Sequence, residues 1–274
     1  MVTITEPDFI EWHPARQLLG YPKNGFILII LNQPIRNPAL FEDLWSIADA
    51  RIAADGGANR ICDVHRQTLS EGGSSARGLS DQFTNLDTII GDLDSLSDEA
   101  RRYFSRSRII HDPDQYSSDF TKAVWHARRE YPGRDLVCMG GLGGRVDQGL
   151  SQLHHLYMFQ TSPTYAEGRM YLLSGESLSF VLKGGRGHQI RVREPNLTVK
   201  ESFKRDSSEP FAKYVGIIPV GEPAVISTKG LEWDVQDWPT VFGGQMSTSN
   251  HVLPETQVVE IQADKDVLFT IALK

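Results

Sequence analysis

Residues 86–139 read LDTIIGDLDSLSDEARRYFSRSRIIHDPDQYSSDFTKAVWHARREYPGRDLVCM, and the order of patterns within them decides the fold. Leu86–Ile90 is a short apolar run suited to a buried strand, and Ser95 with Asp98 fits a capping box for a helix through Tyr103. Arg108–His111 is the next strand. Ser117 or Ser118 then caps a helix with apolar residues at Phe120, Val124, Ala127 and Tyr131, stopped by Pro132. Leu136–Met139 is another strand. Upstream, Phe26–Leu31 and Arg51–Ala54 read as strands with a helix over Pro38–Ala48 between them; downstream, Val146, Leu150, Leu153 and Leu156 mark a helix. Strands alternating with helices imply a parallel sheet covered on both faces.

After Gln160 helical periodicity disappears. Short alternating runs separated by turn signals take over, and VVEIQADKDVLFTIAL alternates in two arms around Asp264–Asp266, the pattern of a hairpin. The expected fold class is α/β: an N-terminal parallel-sheet domain over residues 1–165, then an all-β sandwich over residues 166–274. The polar, Gly- and Ser-rich stretch Ser70–Phe83 reads as a surface insertion.

The 274 residues carry 28 basic and 35 acidic side chains, a net charge of -7, which argues against coating a nucleic acid. The chain has no apolar run near the roughly 20 residues needed to span a bilayer and no secretory signal, so a soluble, cytoplasmic protein is expected, with neither membrane nor nucleic acid as a partner. Cys62 and Cys138 read as small buried hydrophobes.

In an open parallel sheet, ligands bind beyond the carboxyl ends of the strands. Four successive strand ends here carry Asp55-Gly56-Gly57-Ala58-Asn59-Arg60, Gly91-Asp92-Leu93-Asp94-Ser95, Asp112-Pro113-Asp114-Gln115 with Asp119 beyond, and Gly140-Gly141-Leu142-Gly143-Gly144-Arg145-Val146-Asp147-Gln148. Each has a structural reading alone: Asp-Gly makes turns, Asp-x-Asp caps helices, and Asp119 complements a helix dipole. Neither a dinucleotide fingerprint nor a P-loop is present. Together, the converging carboxylates call for a divalent cation, and a donor set of oxygens without His or Cys points to Mg²⁺ working with substrate phosphates. His154 and His155 read as surface or packing residues.

Six motifs in order, ADGGANR, GDLDS, DQYSSDFTKA, GGLGGRVDQ, GLEWDV and STSN, make the chain resemble the thiamine pyrophosphokinase family. In this sequence Leu93 stands where Phe is usual, Ser118 where Thr is common, and Glu232 where Lys is common. The resemblance implies transfer of pyrophosphate from ATP to the thiamine hydroxyl, in a homodimer whose site is shared between subunits. It implies Asp92, Asp94 and Asp119 as Mg²⁺ ligands, Gln115, Ser118 and Arg145 on the phosphates, and Asp55 and Asn59 on the nucleotide side. Asp147 either orients Arg145 or accepts the hydroxyl proton. Trp233 would stack on a cationic thiamine ring, with Ser249 and Asn250 bonding the pyrimidine. Two rivals share some of these features: a haloacid-dehalogenase-type phosphatase, whose Asp-x-Asp normally opens the domain, and a non-catalytic sensor, which would have lost metal-binding aspartates.

Overall fold

In the computed structural model, which describes residues 9–71, 83–205 and 208–274, strand β1 (Phe9–Trp12) and helix α1 (Pro14–Leu18) come first. An alternating series follows: β2 (Phe26–Ile30), α2 (Pro38–Ile47), β3 (Ala50–Ala54), α3 (Gly57–Glu71), β4 (Thr88–Gly91), α4 (Asp98–Tyr103), β5 (Arg108–His111), α5 (Asp119–Glu130), β6 (Asp135–Met139), α6 (Val146–Phe159) and β7 (Met170–Leu173). The chain forms two compact units. One comprises Asn24–Phe159 with Glu167–Gly175; the other comprises residues 9–23, Gln160–Ala166 and Glu176–Lys274.

In the first unit the strands run parallel in the order β7-β6-β2-β3-β4-β5. All five residues of β2 are buried, as expected of a central parallel strand covered on both faces. The order reverses at β2, so a crevice opens beyond the carboxyl ends of its neighbours. Asn37 caps α2 and Ser118 caps α5, each accepting a backbone N–H three residues on. The Ser95 capping box does not form. Ser97 caps α4 instead, while the Ser95 N–H goes to Asp55 Oδ2 at 3.0 Å and the Ser95 hydroxyl donates to Asp94 Oδ1 at 2.9 Å. Helix α3 is absent from the sequence reading, which gave Asp55-Gly56 as a turn and as part of a strand-end site motif with no helix beyond it; here Gly57 opens a helix.

The second unit continues with β8 (Ser177–Leu182), β9 (Arg186–Arg191), β10 (Phe211–Ile218), β11 (Ala224–Lys229), β12 (Trp238–Thr240), β13 (Ser247–His251), β14 (Val258–Ala263) and β15 (Val267–Leu273). Its strands form one layer ordered β1-β9-β14-β11-β12 and another ordered β13-β10-β15-β8. Trp12 of the first layer stacks on Phe180 of the second with ring centroids 4.3 Å apart, and Phe180 meets Phe269 at 5.1 Å. The hairpin expected around Asp264–Asp266 is a corner instead. Strand β14 pairs with β9 and β11, whereas β15 pairs with β8 and β10, so the two arms lie in different layers. Alternation gives each arm its buried face but does not specify which strand it meets. The bend is held by Asp266, which accepts from the Gly184 N–H and ion-pairs with Lys183.

The sequence boundary at 165/166 assigns Met170–Leu173 to the β-rich half, yet β7 pairs in parallel with β6, Leu136 opposite Met170. Residues 72–82 of the Ser70–Phe83 stretch lie outside the described residues. Among the described residues no helix is long and apolar enough to cross a membrane.

Candidate active site

Asp55 directly follows strand β3 and Gly91 ends β4, and the chain turns sharply at both places: Asp55 has φ 42° and Leu93 φ 65°, values that non-glycine residues adopt mainly where the surroundings enforce them. Carboxylate oxygens of Asp55, Asp92 and Asp94 lie within 4.8 Å of one another. Asp119 joins them through its Oδ1, which accepts the Asp92 N–H at 3.3 Å. Gly91 is what allows this convergence. A Cβ there would stand 2.7 Å from both Asp119 Oδ1 and the Asp55 Cβ.

Burial, reinforced by the charges of Asp119, Asp92 and Asp94, pushes the Asp55 carboxyl up to about 6 against a hydrogen bond from the Ser95 N–H. Burial likewise raises Asp119. Asp92 is held low by the Asp94 N–H and by Gln115, whose amide donates to Asp92 Oδ2 at 3.2 Å. Asp55 Oδ1 is buried without a hydrogen-bond partner. An orphaned carboxylate oxygen amid other carboxylates fits a divalent cation.

Asp92, Gln115, Ser118 and Asp119 also line a cavity of about 290 Å³ with Asn32, Gln33 and His155. Asn59 does not point into it. Its amide donates to the Ser95 carbonyl at 2.7 Å and its Oδ1 accepts the Ser97 N–H at 3.0 Å, so it braces the aspartate loop. Arg145 and Asp147, both exposed, form a two-pronged pair with separations of 3.0 and 2.5 Å. A larger cavity, about 460 Å³ among Gly185, Asp237 and Asp264, is lined by none of the predicted site residues.

In the β-rich unit Trp233 is 55% exposed, unlike most tryptophans that serve a core. Asn250 is buried and fully engaged in holding it: Asn250 Oδ1 accepts the Trp233 N–H at 3.2 Å and the amide donates to the Trp233 carbonyl at 2.9 Å. Ser249 is exposed, with φ 55°. His251 lies 4.9 Å from the Trp233 ring and pairs closely with Glu232.

Two family models match the chain: thiamin pyrophosphokinase, catalytic domain, over residues 41–166, and thiamin pyrophosphokinase, vitamin B1 binding domain, over residues 188–268. The chain belongs to the thiamin pyrophosphokinase family. It is 32% identical over 259 residues to thiamine pyrophosphokinase 3 of Oryza sativa subsp. japonica, covering 91% of this chain and 88% of that one. Its identity to the thiamine pyrophosphokinase of Saccharomyces cerevisiae is 28%, over 81% of this chain and 78% of that one. Among solved structures, the thiamin pyrophosphokinase from Candida albicans superposes with a TM-score of 0.77 at 23% identity, covering 99% of this chain and 95% of that chain, which shows a shared fold.

Within this thiamin pyrophosphokinase family member, two site residues escaped the sequence reading. Lys122 is 2% exposed, donates to the Asp112 carbonyl at 2.9 Å and lies 3.5 Å from Asp119 Oδ1, a buried cation beside the acids. His155, read as surface or packing, is 4% exposed and lines the cavity, its Nε2 2.8 Å from the Ser118 and Thr121 hydroxyls. One signal for Lys122 lay in its spacing, three residues after Asp119 on a helix face.

Proposed function

We propose that this protein transfers pyrophosphate from ATP to the hydroxyl of thiamine, giving thiamine diphosphate and AMP. The observation that carries the reading is the convergence of Asp55, Asp92, Asp94 and Asp119, two of which, Asp92 and Asp119, line a polar cavity, in a chain of this family. The thiamine hydroxyl attacks the β-phosphorus in line and AMP leaves, so positioning and charge neutralisation carry most of the catalysis. Mg²⁺ held by Asp92, Asp94 and Asp119, with Asp55 as a further donor, would neutralise the phosphate oxygens.

Gln115 and Ser118 face the same cavity and would hydrogen-bond the phosphates, while Asn59 keeps the aspartate loop in register. Arg145 would meet the transferred group with its guanidinium fork. Asp147 takes the Nε and Nη2 edge of that guanidinium with its two oxygens, which leaves the Nη1 side for the transferred group, and Arg145 holds the Asp147 carboxyl below the usual range, so Asp147 serves better to orient Arg145 than to accept a proton. Trp233 offers an exposed face for the cationic ring, Asn250 fixes that tryptophan, and Ser249 is free to bond the pyrimidine.

A homodimer with shared sites is supported by apolar residues left open in each unit: Val146, 77% exposed and next to Arg145 in the chain, Leu150, 59%, one turn further along α6, and Phe242, 59%, in the unit that carries Trp233. A cytoplasmic enzyme fits these substrates. The test is direct: incubate with ATP, Mg²⁺ and thiamine, and measure AMP and thiamine diphosphate. Equal molar appearance of both is expected; formation of ADP or inorganic phosphate without thiamine diphosphate would sink the reading.

A further inference from the structure

The first turn of α5 and the middle of α6 meet at three side chains that no part of the mechanism above uses together. His155 Nδ1 lies 2.5 Å from the carbonyl oxygen of Ser151, which can only accept, so Nδ1 carries the proton and Nε2 is left with a lone pair. Burial holds His155 below its ordinary value, in keeping with a neutral ring, and stacking on Phe120 at 4.6 Å fixes the ring plane. Two hydroxyls compete for that one lone pair: Ser118 Oγ and Thr121 Oγ1 are each 2.8 Å from Nε2 and 3.0 Å from each other.

We propose that Thr121 and His155 form a hydroxyl relay that releases the Ser118 proton toward a phosphate oxygen of the nucleotide. The two hydroxyls differ in what they can reach. Thr121 is 5% exposed and does not line the cavity, whereas Ser118 lines it and is exposed. Ser118 Oγ already accepts the Thr121 N–H at 3.1 Å as the helix cap, so its proton is its remaining means of contacting an anion. In one setting Ser118 donates to Nε2 and Thr121 donates to Ser118. In the other Thr121 takes Nε2, and the Ser118 proton turns into the cavity. No group gains or loses charge, since both settings contain the same two hydroxyl protons and one imidazole proton. His155 and Thr121 are positioning residues, acting through Ser118.

The relay rests on the reading that this cavity holds ATP phosphates, so the test separates the two. We would measure the Kd of MgATP by calorimetry without thiamine, the KM of each substrate, and Tm. Thr121→Val keeps the shape and removes the competing hydroxyl; Ser118 is then the only donor to Nε2, and a phosphate must break that bond. Thr121→Val should weaken MgATP about fivefold in Kd and KM, the effect of one hydrogen bond, with the thiamine KM unchanged. Thr121→Ser should restore wild-type values. Ser118→Ala should weaken MgATP comparably, and adding Thr121→Val to it should weaken binding no further. The relay is overturned if Thr121→Val leaves MgATP binding intact, weakens both substrates alike, or weakens binding as much in the Ser118→Ala background. Failure of the wild-type protein to bind MgATP at all would overturn the nucleotide reading and the relay with it.

Discussion

A carboxylic acid buried beside other carboxylates gives up its proton late, and Asp55 is so placed, 1% exposed and raised from 3.8 to about 6. The sign of the consequence follows from linkage. Below the unfolded value both states hold the proton, so Asp55 makes no difference. As pH rises toward 6 the unfolded chain ionises first, and the metal-free fold loses stability, by ~3 kcal/mol at most from this group. Asp55→Asn, which also suits a positive φ, should therefore raise the metal-free Tm at pH 8 and leave it nearly unchanged at pH 4, as thermal scans at the two pH values would read. Equal shifts at both would show that the strain is not ionic. Asp92→Asn or Asp94→Asn should lower turnover about a hundredfold or more while folding persists. Near-normal turnover of either variant at limiting Mg²⁺ would remove that residue from the site. Asp92 and Asp94 were legible in the sequence because a carboxylate pair directly after a strand has a predictable address. Lys122 and His155 were not: a lysine or histidine on a helix reads as a solvated face unless burial is known, and burial is set by what the helix meets.

At the scale of elements, β2, β3, β4 and β6 were readable as short apolar runs, since a parallel strand buried on both faces has no alternation to confuse it. What the pattern could not carry was pairing. The arms of β14 and β15 alternate as a hairpin would, yet they separate into two layers, and β7 looks like any other apolar run although it extends the parallel sheet. The close approach of β4 to α5 was equally hidden, because a glycine ending a strand has many uses. Here it has one that can be tested. Gly91→Ala would push Asp55 and Asp119 apart by forcing the Cβ against both. We expect the Mg²⁺ concentration for half-maximal activity to rise at least about fivefold with only a modest fall in Tm, of the order that an overpacked site shows. An unchanged Mg²⁺ requirement would mean the acid cluster tolerates a wider geometry than the one described.

For the molecule as a whole, a site shared between subunits has an arithmetic signature. Asp92→Asn and Trp233→Ala chains, each nearly inactive alone, are mixed under conditions that exchange subunits. With equal amounts and random pairing about half the dimers are mixed, each with one doubly damaged and one intact site, so roughly a quarter of all sites should recover. Demonstrated exchange without recovery would rule out sharing and leave the metal chemistry untouched.

Strand β1 has a consequence for how the protein is made. Trp12 is wholly buried and donates to His188 Nδ1 at 3.1 Å, a partner 176 positions later in the chain. At roughly 5–20 residues per second, a ribosome delivers β9 between about 9 and 35 seconds after β1. During that interval Asn24–Phe159 emerges in full. The nascent chain thus carries an unsheltered tryptophan while the parallel sheet assembles behind it, and β1, made before that sheet, is among the last strands to find its place.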